Sequence, residues 1–260
     1  DILKEYEIVK SSKYPHDGKM FNKDESELVN EDMNKKFHST IYKLLFVAKR
    51  SRPDILLNIS YLSSFVNNCT NDKFEYMMKL LHYLNNSLNR GIKFIGGSDL
   101  NISVYADASF MTHEDLYSRS GILVIASGGV IASKSSKQTI LTMSSTEAEL
   151  VALYSAIQMS NELIDKCSSF GIVCNKPIIY QDNRNVIEMI NKVKPYALSK
   201  KPVTLKYYAI HQSIRDREAD VEWCPTDQML ADIATKPLMG DLFNNIVNTI
   251  VPLISVNDIS

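Results

Sequence analysis

Cysteine is sparse and unpatterned in this chain. The 260 residues hold four, Cys69, Cys167, Cys174 and Cys224, with no Cys-x-x-Cys pair and no histidine at ligand spacing. That argues against a zinc module or a disulfide scaffold, and for reduced thiols of intracellular type. No run reaches the roughly 18 apolar residues of a membrane span, and no signal-peptide pattern opens the chain. An excess of one charge is missing too, since 29 Lys and Arg stand against 30 Asp and Glu, a net −1. No global field advertises a polyanion. A nucleic-acid enzyme with this balance must gather its cations on one face or borrow affinity from a larger assembly. Internal repeats and low-complexity tracts are absent. The chain opens at Asp1 without a Met, and the expectation is a fragment of a longer polypeptide. The rest, 45% hydrophobic and 23% charged, is ordinary globular composition for one or two domains.

Four short acidic motifs are present, in a fixed order. They are Tyr105-Ala106-Asp107-Ala108, Ser145-Thr146-Glu147-Ala148-Glu149-Leu150, Tyr180-Gln181-Asp182-Asn183 and Leu230-Ala231-Asp232-Ile233. The first and third end β-branched or aromatic runs; the second and fourth fall on the first turns of expected helices. Hard divalent cations are held by a few carboxylates plus substrate phosphates. Carboxylates gathered at strand ends and helix starts suit two-metal phosphodiester cleavage. Each motif alone has an ordinary reading: Asp107 as a turn acid, Glu149 as a capping-box acid unless Glu147 serves, Asp182 as an N-cap, Asp232 as a solvated acid. Four spaced as strand, helix, strand and helix point to one site.

Residues 1 to about 35 are polar and read as a surface arm. Helical patterns follow. One starts at Ser39 or Thr40, with Ile41, Leu44, Leu45 and Ala48 on one face. A second opens at Pro53 and a third at Asn71 or Asp72, the third carrying Phe74, Met77, Met78, Leu81 and Leu84 inward. Ile92–Ile95 reads as a short strand and Gly96-Gly97 as a linker. Then the pattern changes. Strands are expected over 102–106, 121–126 and 130–132, the last two a hairpin across Ser127-Gly128-Gly129. A long helix covers about 147–167, capped from Ser144 to Thr146, with a strand at 178–181 and a helix from Asn183 beyond it. A helix over Leu205, Tyr208 and Ala209, a strand at 221–223 and a helix from Gln228 to about Thr235 complete a mixed α/β layout. Trp223 reads as core.

These motifs, with Ser135-Ser136-Lys137-Gln138, Pro225-Thr226 and Ala231-Asp232-Ile233-Ala234-Thr235-Lys236-Pro237-Leu238, resemble the ribonuclease H domain of copia-type LTR retrotransposon polyproteins. Ser51-Arg52-Pro53-Asp54-Ile55, Leu62-Ser63-Ser64-Phe65 and Leu81-His82-Tyr83-Leu84 resemble the part after the polymerase palm. The resemblance covers roughly residues 38 to 240. It implies a ribonuclease H-like mixed sheet flanked by helices, preceded by a small helical thumb- or connection-like domain. The expected division is a polar arm over 1–37, the helical domain over 38–97, the ribonuclease H domain over 98–240 and a C-terminal tail over 241–260. No Tyr-x-Asp-Asp motif occurs, so no polymerase centre is expected in this chain.

The resemblance assigns catalysis and metal binding to Asp107, Glu149, Asp182 and Asp232, with two Mg²⁺ or Mn²⁺ ions as cofactors. The implied activity is endonucleolytic cleavage of the RNA strand of RNA–DNA hybrids during reverse transcription. The implied partner is the polymerase part of the same polyprotein, and the implied location the cytoplasm, in a virus-like particle, or the nucleus. Lys134, Lys137, Asn183, Lys200 and Lys201 are candidates for nucleic-acid contact, as are Lys43, Lys49, Arg50 and Arg52 in the helical part. Where the family has histidines, this chain reads Lys201-Pro202-Val203-Thr204 and Lys206-Tyr207-Tyr208, and no His precedes Asp232. The lost histidines keep open a degenerate, non-catalytic ribonuclease H-fold module that binds nucleic acid, or a retroelement fragment kept for protein interaction.

Overall fold

The structure is a computed structural model that describes residues 2–96, 100–112, 115–192, 198, 200–216 and 218–255. The chain forms two compact units, Asp1–Lys93 with Pro237–Ser260, and Phe94–Lys236.

The first unit is helical. It holds α1 (Ile2–Glu5), α2 (Glu31–Arg50), α3 (Leu56–Leu62), α4 (Asn71–Asn85) and, from the other end of the sequence, α8 (Gly240–Ile250). Helix α2 starts eight residues before the expected Ser39 because the Asn30 side chain accepts from the Met33 amide at 2.9 Å. The polar stretch before Ser39 therefore holds a capped helical start with Glu31 and Asp32 in its first turn, where acids suit the helix dipole. Helix α4 opens at Asn71 as expected, and Thr70 caps it. Within 241–260, expected as tail, the chain continues a helix that starts at Gly240 and buries Phe243, Ile246, Val247 and Ile250, and Phe243 meets Tyr14 and Tyr83 edge-on. The expected strand at Ile92–Ile95 does not form. Gly97 of the linker lies outside the described residues.

The second unit is built on five strands: β1 (Ile102–Ser109), β2 (Arg119–Ala126), β3 (Gly129–Lys137), β4 (Ile178–Gln181) and β5 (Asp220–Trp223), in the order β3-β2-β1-β4-β5. The first three run antiparallel; β4 is parallel to β1, and β5 to β4. Ser127 and Gly128, with φ of 50° and 76°, close the β2–β3 hairpin in the left-handed region that such two-residue turns need. Helix α5 (Ser145–Ser169) crosses between β3 and β4, α6 (Arg184–Ile190) follows β4, and α7 (Lys201–Arg215) precedes β5. This is the ribonuclease H-like mixed sheet that the resemblance implied.

The core lies between sheet and helices. Val104, Ala106, Ile122 and Val124 from the strands meet Leu150, Leu153, Ala156 and Ile157 of α5 and Val203, Tyr207 and Ile210 of α7. Each Val, Leu or Ile among them contributes about 1.5–3 kcal/mol on burial. The helix expected over Leu205, Tyr208 and Ala209 is present as α7; its buried stripe falls on 203, 207 and 210, and Leu205 and Tyr208 are 69% and 53% exposed. The last expected helix is a pair of 3-10 turns, Thr226–Gln228 and Leu230–Ala234. Strand β4 ends at Gln181 beside β1, which runs on to Ser109, and the carboxyl end of a parallel strand is where α/β sheets place ligands.

Candidate active site

Asp107 sits two residues inside β1, not at its end as expected, because the β1–β2 ladder runs on to the Ser109–Arg119 pair. Its cross-strand partner is Gly121. A Cβ there would lie 2.6 Å from Thr235 Cγ2 and 2.9 Å from the Ala231 carbonyl, so only glycine lets the 3-10 turn of residues 230–234 pack this close. Two buried side chains tie that turn down. Ser135 Oγ donates to the Ala234 carbonyl at 2.7 Å, and Arg119, almost fully buried, donates to Ser135 Oγ at 3.0 Å. Gln138 bridges β2 to α5, donating to Ser120 Oγ at 2.8 Å and to the Ala148 carbonyl at 2.9 Å.

The start of α5 separates its two glutamates. Ser144 Oγ accepts from the Glu147 amide at 3.2 Å, and Glu147 Oε2 accepts from the Met143 amide at 2.9 Å. Glu147 is thus committed to the cap. Glu149, one turn in and buried, points to the acids, and Gln181 Nε2 donates to its Oε2 at 3.4 Å. Asp182 follows β4 directly and is half-buried, and the neighbouring Asn183 caps α6 through its Oδ1. Asp107, Glu149 and Asp182 each bring one carboxylate oxygen within 4.8 Å of the other two.

Asp232 arrives differently. It is buried, and Lys236 Nζ donates to its Oδ1 at 2.7 Å and to Asp107 Oδ1 at 3.3 Å. The Thr235 hydroxyl donates to Asp107 Oδ2. The structure therefore gathers three acids in one tight group and joins the fourth to it through a lysine. Burial first, then the charges of Asp107 and Asp182, hold the Glu149 carboxyl well above its usual range. Burial, then Asp107, raises Asp182, and the same two causes raise Asp232 to about 7. Lys236 is held above the usual lysine range, because the attraction of Asp107 and Asp232 outweighs its own burial. The donor set is all oxygen, concentrated and short of positive charge, which fits a hard divalent cation.

The proposed nucleic-acid contacts scatter. Lys134 and Lys137 are exposed on β3, and Lys137 is already paired with Asp115 and lies over the Tyr117 ring. Asn183 is occupied as a cap. Lys200 and Lys201 open α7. In the helical unit, Arg52 is buried and holds Asp54 through two bonds of 2.9 and 2.8 Å, so it is not free for phosphate. Lys43 pairs with Glu5 at 3.0 Å. Trp223, expected in the core, is 42% exposed at the end of the edge strand. Thr235, Lys236 and Gln181 join the site only in the folded chain. All three lie within quoted motifs, but nothing in spacing alone separates a residue that braces an acid from one that follows it.

No family model matches the chain. Curated relatives do. The Retrovirus-related Pol polyprotein from transposon RE2 of Arabidopsis thaliana is 31% identical over 201 residues, 75% of this chain. That from transposon RE1 of the same plant is 29% identical over 203 residues, 77% of this chain, and that from transposon TNT 1-94 of Nicotiana tabacum 28% over 211 residues, 80%. The chain is a homologue of copia-type transposon Pol polyproteins. It spans 14%, 14% and 16% of the length of those three relatives. Among solved structures, LC11-RNase H1 in complex with an RNA/DNA hybrid is similar at 16% identity and a TM-score of 0.40, covering 52% of this chain and 94% of that one. The foamy viral protease-reverse transcriptase in complex with an RNA/DNA hybrid is similar at 14% identity and a TM-score of 0.46, covering 82% of this chain and 28% of that one. Among the described residues no helix is long and apolar enough to cross a membrane.

Proposed function

We propose that this chain is the ribonuclease H part of a retrotransposon reverse transcriptase and cuts the RNA strand of RNA–DNA hybrids with divalent cations. The observation that carries this reading is the convergence of Asp107, Glu149 and Asp182 within 4.8 Å, where β1 runs on past the carboxyl end of its parallel neighbour β4. Asp107, Glu149 and Asp182 would hold Mg²⁺ or Mn²⁺, with Asp232 beside them. When bound, such ions would supply a nucleophile at neutral pH and neutralise charge developing on the phosphate.

The chain's own residues prepare the ground. Thr235 donates to one oxygen of Asp107 and Lys236 to the other, so that carboxylate is fixed in rotation. Gln181 orients Glu149 and is itself held, because its Oε1 accepts from the Asn183 amide at 2.9 Å. Lys236 offsets repulsion between Asp107 and Asp232 until substrate and ions arrive. The 2′-hydroxyls in the minor groove would tell RNA from DNA. The helical unit, thumb- or connection-like in this reading, would hold the hybrid through backbone contacts from Lys49 and Arg50, both exposed. The rest of the polyprotein would supply polymerase activity.

The decisive assay is incubation with an end-labelled RNA–DNA hybrid, with and without Mn²⁺. Endonucleolytic products from the RNA strand alone, dependent on Mn²⁺ and lost in Asp107→Asn, are expected. A hybrid that is bound and left intact would favour the non-catalytic module.

A further inference from the structure

Trp223 is the chain's single tryptophan, and its position is unusual for a large aromatic. It ends the edge strand β5 with 42% of its surface exposed. Its orientation is fixed, since the indole Nε1–H donates to the Asp182 carbonyl at 3.0 Å. The guanidinium of Arg184 lies over the ring, 4.6 Å from its centroid. Arg184 is exposed and, among the described residues, has no carboxylate within ion-pair distance.

The arrangement is therefore a flat, pre-set cation, anchored through an indole to the backbone of Asp182. Cation–π stacking restrains the guanidinium but leaves its N–H edge free, the edge that binds phosphate oxygens two at a time. Its place matters because the acidic group repels a polyanionic backbone, and a strand entering there needs an attractive contact close by. Arg184 comes two residues after Asp182 and one after the Asn183 cap. An arginine with an acid partner would be neutralised; Arg184 has none among the described residues.

We propose that Arg184, held by Trp223, is a phosphate-binding subsite for the nucleic-acid strand that flanks the acidic centre. Arg184 makes the contact, and Trp223 is a positioning residue that keeps the guanidinium flat and ties it to Asp182. The inference rests on the nucleic-acid reading of the neighbouring acids, but it concerns binding and can be tested without cleavage.

The single tryptophan gives a direct probe. The 260-residue chain is titrated with a short RNA–DNA hybrid in EDTA while indole fluorescence is followed, at several salt concentrations. Wild type should show a saturable fluorescence change. Arg184→Gln should weaken binding several-fold and lower the log–log salt slope by about one, the signature of one lost phosphate contact. Arg184→Lys should restore most of the slope but less of the affinity, since an ammonium does not stack or fork. Trp223→Phe, followed by anisotropy of labelled hybrid, should keep the slope and lose affinity. Thermal melts check that each variant is folded. An unchanged slope and affinity in folded Arg184→Gln, or hybrid binding with no change at Trp223, overturns the subsite. Hybrid bound in an Arg184-dependent way but not cut when Mn²⁺ is added leaves the subsite standing and removes the ribonuclease reading. Cleavage by wild type with binding indifferent to Arg184 does the reverse.

Discussion

Lys236 bonds to Asp232 at 2.7 Å, and the two lie four residues apart in the chain. The lysine also reaches Asp107 at 3.3 Å, so one ammonium serves two buried acids. Replacing it by methionine leaves both without that cation. Lys236→Met should lower the stability of metal-free protein by about 1–2 kcal/mol, less than the 3–5 kcal/mol of a fully buried pair because the lysine side chain is 36% exposed. Mn²⁺ should stabilise the variant more than wild type, since the ion then meets an unneutralised site. Thermal melts across a Mn²⁺ series check this; identical shifts for the two proteins would contradict it.

Asp107→Asn should abolish hybrid cleavage and keep the fold. The amide preserves shape and removes one charge from a crowded group, so stability of the metal-free protein should hold or rise. A cleavage rate near wild type would sink the assignment of the acids.

The two glutamates of α5 should fail in different ways. Glu149→Gln should remove cleavage with little effect on folding. Glu147→Ala should cost about 1 kcal/mol of stability through the lost cap, with most of the cleavage kept in the folded fraction. Two residues apart on a helix means about 200° of rotation, so one side chain cannot replace the other. Equal losses of cleavage would show that both reach the site.

Gly121→Ala should be among the most damaging single changes in the sheet unit, at roughly 2 kcal/mol or more of stability. Its Cβ would meet a backbone carbonyl at 2.9 Å as well as the Thr235 methyl. Denaturant unfolding measures the loss, and a Thr235→Ser background should recover only part of it because the carbonyl contact remains.

The two units should respond to acid with opposite signs. Burial lowers His16 in the helical unit from 6.5 to about 4. Its stability contribution is complete above pH 6.5 and lost as pH falls through about 4, where the unfolded chain binds the extra proton. Asp232 is raised from 3.8 to about 7, mainly by burial. Its contribution is complete below pH 3.8 and lost as pH rises through about 7. Hydrogen exchange of α4 amides against β1 amides, between pH 7 and pH 5, should therefore show α4 weakening and β1 tightening in metal-free protein. His16→Gln should flatten the α4 trend alone.

Local rules make much of this protein legible from its residues. Apolar and β-branched runs placed the five strands near their observed positions, because one or both faces of each must meet a core. Apolar spacing and a Ser-x-x-Glu cap placed α5 to within two residues at each end, because capping is chemistry between near neighbours. The acidic motifs were visible because each carries its own strand or turn. Other features depended on contacts between distant residues. The helix α7 is legible but its buried face is not, because Leu205 and Tyr208 are as apolar as Val203 and Tyr207, and only packing in the folded chain decides which pair is covered. Trp223 read as core by size alone, yet the sheet ends at β5 and leaves it an edge. The bracing of Asp107 by Thr235 and Lys236 joins residues 128 and 129 positions apart. Which carboxylates exist, and on which elements they ride, follows from local sequence, since propensity and periodicity act over a few residues. That three of them converge while Asp232 is held by a lysine is a property of the folded chain, because it depends on how closely one 3-10 turn packs over Gly121.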